Sequence, residues 1–222
     1  MGKNKLIISI CINFLIILLT IFACFMMFTG FKIMEAEYLL ESTSFSMFRF
    51  FTVDSNILMA IVSLIFAVEE IKVLKNVKSE ISTKMYILKL AATTAVSVTF
   101  ITVVAYLGQI VEGGVIVLLM NSNLFFHLII PVLSIITFIF FERTNKIKLR
   151  TAFFGVLPTL ICAIYYLINV LVHMENGKVS PLYDWYWFVQ SGMHQIFIVF
   201  PLMLFASYLI SISLWRANKK KI

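Results

Sequence analysis

Six long apolar stretches dominate this chain of 222 residues and restrict what it can fold into. A helix needs ~20 mostly apolar residues to cross ~30 Å of hydrocarbon, and each stretch meets that length. The predicted spans are Leu6–Gly30, Ser46–Val68, Met85–Val111, Leu119–Phe141, Thr151–Val172 and Met193–Trp215. The sequence therefore predicts an all-α, polytopic membrane protein, in which a bundle of six transmembrane helices forms one domain over residues 1–222.

The composition excludes the main alternatives to a membrane protein. Hydrophobic residues make up 61% of the chain and charged residues only 13%, whereas about a quarter of a soluble domain is charged. Long apolar runs, rather than short stretches of alternating polarity, argue against a transmembrane β-barrel. We expect membrane lipids as partners and no nucleic acid, because the net charge of +7 belongs to loops that flank apolar spans.

The Lys and Arg residues predict the orientation of the bundle. Fourteen of the 18 lie in the N-terminal tail, the second loop, the fourth loop and the C-terminal tail. Only Lys32, Arg49 and Lys178 lie on the opposite side, and Lys89 is expected close to the basic side. The positive-inside rule predicts that both termini are cytoplasmic. The first stretch is too long for a signal peptide and is expected to remain as a span.

Polar side chains at membrane depth need a partner or a water-filled pocket, so they indicate function. In the predicted second span Thr52 lies roughly 9 Å below the outer surface, and regular helical spacing places Arg49, Thr52 and Asn56 on one face. The same spacing places Asp54 on nearly the opposite face. In the fourth span His127 lies roughly 12 Å deep and shares a face with Asn123.

Other spans add polar residues at the same level. Tyr106 and Gln109 lie near the outer end of the third span, Asn169 and His173 near that of the fifth, and His194 opens the sixth. The inner half of the bundle is expected to be almost purely apolar. A polar layer built from five helices predicts a pocket open toward the outer leaflet.

Two short motifs resemble those of a known family. Phe51, Thr52, Ser55 and Asn56 form a Phe-Thr-x-x-Ser-Asn stretch, and His127 and Pro131 form a His-x-x-x-Pro stretch. Together with the six-span layout, they resemble the androgen-induced/androgen-dependent family of integral membrane proteins and especially its bacterial relatives. The resemblance therefore implies a multi-pass protein of a bacterial plasma membrane.

The animal members of that family are threonine hydrolases that cleave fatty-acid esters of hydroxy fatty acids. The resemblance implies that Thr52 is the nucleophile and His127 its base, acting on a lipid ester without a cofactor or metal. Imidazole is a suitable base near neutral pH. Candidates for holding the substrate or its oxyanion, by their predicted depth, are Arg49, Asn56, Asn123, Tyr106, Gln109 and His194.

Two other functions remain open. His127, His173, His194 and Asp54 could form a zinc site, although no two histidines have the spacing of a paired-histidine motif. Alternatively the chain could be a non-enzymatic transporter of small molecules or ions, or a lipid-binding protein. A polar layer that continued to the cytoplasmic face would favour transport. We expect the aromatic stretch Tyr183–Phe188 to lie at the membrane interface.

Overall fold

The computed structural model describes residues 2–34, 43–110, 113–186, 188–189 and 192–219, and these residues are mostly helical. The long helices are α1 (Lys3–Thr29), α2 (Phe51–Leu74), α3 (Thr83–Leu107), α4 (Ser122–Phe141), α5 (Leu149–Val172) and α6 (Met193–Asn218). Shorter helical turns cover Ser44–Arg49, Gly108–Ile110 and Gly114–Leu118. Between α5 and α6, strands β1 (Met174–Glu175) and β2 (Lys178–Val179) form a small antiparallel hairpin, in which Met174 is opposite Val179.

Five of these helices, α1 and α3 to α6, are long and apolar enough to cross a membrane. The prediction of a helical protein is thereby confirmed, and these five helices agree with five of the predicted spans. The sixth span and the side of each terminus stay predictions. The helix α2 contains 24 residues and is thus about 36 Å long. It carries Asp54 near its start and Glu69 and Glu70 near its end.

The outer surface of the bundle is apolar. Large hydrophobic side chains of α1, α5 and α6 are exposed, among them Leu18, Ile161 and Phe197, whose exposed fractions are 64%, 66% and 79%. A soluble protein rarely exposes contiguous apolar surface on this scale. The exposed faces indicate a protein embedded in a membrane, and the plasma membrane remains a prediction.

The helix α3 is the centre of the molecule. All nine residues of the segment 91–99 are buried, and α3 contacts α2, α4, α5 and α6. The helix α1 contacts both α2 and α4. The helices α1 to α4 therefore surround a common interior, and α5 and α6 pack against the other side of α3.

The long helices contain irregular turns where the sequence predicted regular ones. The predicted second span begins in a 3₁₀ turn, Ser44–Arg49, and Phe50 has extended backbone before α2 starts. Arg49 is therefore not on one continuous α-helical face with Thr52, and that part of the prediction is wrong. Turns of π-helix occur at Val103–Leu107, Phe125–Ile129 and Thr137–Phe141.

Candidate active site

The first turn of α2, which carries Thr52, is held by a tyrosine from the segment between α5 and α6. The Tyr186 hydroxyl accepts a hydrogen bond of 2.7 Å from the backbone N–H of Phe51. No side chain of α2 itself caps this end, so Tyr186 supplies the acceptor that a free N–H at a helix start requires. Burial raises the pKa of Tyr186, which keeps the phenol neutral in this position.

Asn56 joins this turn of α2 to α4. Its Nδ2 donates to the carbonyl of Thr52 at 2.7 Å and to the carbonyl of Phe126 at 3.1 Å. Both acceptors are carbonyls, which fixes the orientation of the amide. The side chain is completely buried. Asn56 therefore brings the backbone at Thr52 close to the backbone next to His127.

The π turn in α4 explains why the Phe126 carbonyl needs Asn56. Within the turn the N–H of Ile130 donates to the carbonyl of Phe125, one residue further back than in an α-helix. The next residue, Pro131, has no N–H to donate. The carbonyl of Phe126 is thus left without its backbone donor, and the amide of Asn56 takes that place.

His127 lies in the same π turn and is only partly hydrogen-bonded. Its ring lies close to the backbone of Thr99 in α3. Nδ1 is buried and has no hydrogen-bond partner among the described residues. In the tautomer that carries its hydrogen on Nε2, the neutral ring has a lone pair on Nδ1. That nitrogen is available as a base.

Thr52 is half-buried, and no hydrogen bond joins its hydroxyl to His127 within the part of the chain that the structure describes. The two residues are connected indirectly, by the hydrogen bonds of Asn56 to the backbone carbonyls of Thr52 and Phe126. Catalytic hydrogen bonds are often long before a substrate binds, so the free hydroxyl and the free Nδ1 remain compatible with a nucleophile and its base.

Three buried polar atoms near this site lack a partner among the described residues. They are Arg49 Nε, Asn56 Oδ1 and His127 Nδ1. Buried polar groups are nearly always hydrogen-bonded in native proteins, so each such atom needs an explanation. The Arg49 guanidinium lies 4.9 Å from the centre of the Phe50 ring, and no carboxylate in the described chain forms an ion pair with it. The three atoms offer two acceptors and one donor to a polar ligand.

The remaining predicted site residues behave differently. Tyr106, Gln109 and His194 are exposed, so the structure does not bring these three side chains into the buried layer. Asn123 is half-buried at the start of α4. Because the α3 helix changes to a π turn at Val103, the regular spacing that placed Tyr106 and Gln109 inward does not apply there.

The other polar residues considered for zinc binding are also separated. His173 stacks on Tyr183 with ring centres 3.6 Å apart, and its Nδ1 bonds to the carbonyl of Asn169 at 2.8 Å. Asp54 is exposed, and Cys162 and Tyr186 are its electrostatic neighbours. In the described residues, no three His, Cys, Asp or Glu side chains are placed to hold a metal ion.

The aromatic stretch after the hairpin folds into the bundle instead of lying at its surface. Asp184 and Trp185 are buried, with exposed fractions of 1% and 4%. Asp184 accepts hydrogen bonds from the Tyr166 hydroxyl and from the N–H of Phe188. The position of Tyr183–Phe188 at the membrane interface stays a prediction, and Trp187 lies outside the described chain. The segment contacts the start of α2 through the hydrogen bond between Tyr186 and the N–H of Phe51.

A second polar layer lies at the opposite end of α2 and was not predicted. Glu70, Lys89 and Glu142 are all completely buried, so the expectation of an almost purely apolar inner half is wrong. The sequence contained one signal for this layer, because Asn56, Ser63 and Glu70 follow each other at seven-residue spacing and so share one face of a helix. In the structure all three are buried on that face of α2.

Comparisons with protein-family models, with curated proteins and with solved structures give no match to this chain.

Proposed function

We propose that this protein is an integral membrane hydrolase that cleaves fatty-acyl esters of lipids, with Thr52 as nucleophile and His127 as base. One observation carries the proposal: Asn56 joins the Thr52 carbonyl to the π turn that holds His127. The unpartnered Nδ1 of His127 on the second helix supports its proposed role as the base. The resemblance of the two motifs to the androgen-induced/androgen-dependent family is the reason for naming lipid esters.

In the proposed reaction the Thr52 hydroxyl attacks the ester carbonyl while His127 Nδ1 takes its proton. The histidine then returns that proton to the departing alkoxide, and an acyl ester of Thr52 remains. Water, activated by the same nitrogen, hydrolyses this ester and releases the fatty acid.

The geometry narrows the choice of oxyanion donor. Both hydrogens of Asn56 Nδ2 are used by the carbonyls of Thr52 and Phe126, so Asn56 cannot donate to an oxyanion. The buried Nε–H of Arg49 has no partner in the described chain, which makes it the preferred donor, with Asn123 as the other candidate. Removing one such donor typically slows the chemical step by about 10²–10³-fold.

The test is hydrolysis of a fatty-acid ester of a hydroxy fatty acid by the purified protein in liposomes. Thr52→Val keeps the shape of the side chain and should reduce the rate by about 10⁴-fold or more, since the nucleophile is lost. Thr52→Ser keeps a hydroxyl and should retain measurable turnover. His127→Gln should reduce the rate by about 10²–10⁴-fold.

Thr29→Val is the matched control for this test. The Thr29 hydroxyl bonds to the carbonyl of Phe25 in its own helix and is exposed, so its loss should leave the rate unchanged. Hydrolysis by Thr52→Val at the wild-type rate would reject the proposed nucleophile.

The second candidate function is transport, and a specific observation favours it. Buried polar side chains continue from Asn56 through Ser63 to Glu70 along α2, and other helices of the bundle contribute to the same interior. The additional buried polar residues are Ser9, Asn13 and Thr20 of α1, Lys89, Thr93 and Ser97 of α3, and Ser134 and Thr137 of α4. A proton or cation flux into sealed liposomes that Glu70→Gln stops, and that Thr52→Val leaves intact, would favour transport over hydrolysis.

A further inference from the structure

The second polar layer is a closed set of contacts among the first four helices. We name it the ionic cluster, and its members are Ser9, Asn13, Ser63, Glu70, Lys89 and Glu142. All six side chains are buried, and each exposed fraction is 0%. The members come from α1, α2, α3 and the residue that directly follows α4.

Asn13 and Lys89 hold the two carboxylates together. Asn13 Nδ2 donates to Glu142 Oε1 at 2.9 Å and to Glu70 Oε2 at 3.3 Å. Lys89 Nζ lies 3.2 Å from Glu142 Oε1 and donates to Asn13 Oδ1 and to Ser63 Oγ. One amide nitrogen therefore serves both acidic side chains, and a single ammonium group faces them.

The charges of the ionic cluster do not balance. Two ionised carboxylates and one ammonium leave one negative charge, and no second basic side chain of the described residues bonds to the cluster. The other facing titratable group is Tyr86 of α3, a buried phenol that interacts electrostatically with both carboxylates. Burying an uncompensated charge is costly, so the site requires one more positive charge.

Two carboxylate oxygen atoms of the ionic cluster could accept that positive charge. Glu70 Oε1 and Glu142 Oε2 are buried and have no hydrogen-bond partner among the described residues. A proton on either carboxyl would neutralise the excess charge and convert one of these acceptors into a donor. A metal cation fits less well, because Lys89 already occupies the side of Glu142 Oε1 and uses the oxygen of Asn13.

We infer that the ionic cluster binds one exchangeable proton, held by the Glu70–Glu142 carboxyl pair while Lys89 remains charged. Protonation adds one hydrogen to a carboxylate oxygen and needs no further reactant. The proton-binding site lies at the far end of α2 from Thr52. It neither requires nor excludes ester hydrolysis.

Infrared spectroscopy of the protein in lipid nanodiscs tests this inference. At neutral pH the wild-type protein should show the C=O stretch of a protonated carboxyl group, and the band should shift when H₂O is exchanged for D₂O. Glu70→Gln and Glu142→Gln each remove the excess negative charge, so each should abolish the band. Glu80→Gln is the matched control, because Glu80 is an exposed residue that pairs with Lys146, and the band should persist in it.

Lys89→Met provides the opposite change. Without the ammonium group both carboxyls must be protonated, so the intensity of the band should rise about two-fold. A wild-type spectrum without a protonated carboxyl at neutral pH would overturn the inference, as would a band that persists in both glutamine variants. A band that does not shift in D₂O would show that the proton does not exchange, and this result would also contradict the inference. The absence of the band from the wild-type spectrum would overturn the inference even if a variant failed to fold.

Discussion

At the scale of single residues, Asn56 connects the fold to the site. Its amide serves two carbonyls on different helices, and its free Oδ1 is buried beside them. The sequence predicted that Asn56 shares a face with Thr52, and it offered Asn56 as an oxyanion donor. The sequence could not predict the hydrogen bond from Asn56 to the carbonyl of Phe126, because that contact depends on the π turn before Pro131 and on the packing of α2 against α4.

Replacing Asn56 by leucine should lower the free energy of unfolding by about 1–3 kcal/mol, because the buried Phe126 carbonyl loses its donor. In a Pro131→Ala background the backbone regains an N–H that can reach this carbonyl, so the same substitution should cost less. Denaturant titration of the four purified proteins measures both costs.

Asn123→Leu is the control for this cycle, because its half-buried side chain has no hydrogen bond among the described residues. It should change the free energy of unfolding by no more than about 0.5 kcal/mol. Equal costs of Asn56→Leu with and without Pro131 would contradict the role assigned to the π turn.

At the scale of helices, the sequence predicts long apolar segments well and irregular turns poorly. The predicted sixth span starts at Met193, as α6 does, and the predicted first span differs from α1 by a few residues at its start and by one at its end. The thickness of a bilayer sets these lengths. The periodicity of the sequence does not show the break at Phe50 or the π turn at Val103. These two irregular turns change the positions of Arg49, Tyr106 and Gln109 from those predicted.

Close packing of helices depends on Gly155 at the start of α5. A Cβ atom there would lie 2.2 Å from Ser211 Oγ of α6 and 2.9 Å from Thr94 Oγ1 of α3. Small residues allow helix backbones to approach closely in membranes. The contact of α5 with both neighbours therefore requires glycine at this position.

Gly155→Ala should lower the free energy of unfolding by about 1–3 kcal/mol through overpacking. Ser211→Gly removes the atoms of closest approach, so the double variant should be more stable than the sum of the two single effects predicts. Thermal unfolding of the purified proteins provides the comparison. Gly2→Ala is the control and should leave the free energy of unfolding unchanged, because a Cβ at Gly2 would meet nothing within 4 Å. Strict additivity of the effects of Gly155→Ala and Ser211→Gly would refute the proposed contact.

At the scale of the whole molecule, the bundle contains two polar layers joined by α2. The sequence predicted a polar layer around Thr52 because its residues lie inside apolar spans, but Tyr106, Gln109 and His194 are exposed and do not belong to it. The ionic cluster was not predicted, since Lys89, Glu70 and Glu142 lie near the ends of predicted spans and resemble the charges of loops. A sequence shows which face of a helix is polar but not which helices turn those faces toward each other.

The central claim is that the Thr52 hydroxyl forms an acyl ester during turnover. Acid quenching of the reaction with a lipid ester, followed by peptide mass spectrometry, measures this directly. The peptide that contains Thr52 should gain the mass of the acyl group, the gain should be absent in Thr52→Val, and it should be strongly reduced in His127→Gln. Acylation of another residue, or complete hydrolysis by Thr52→Val without any adduct, would contradict the claim.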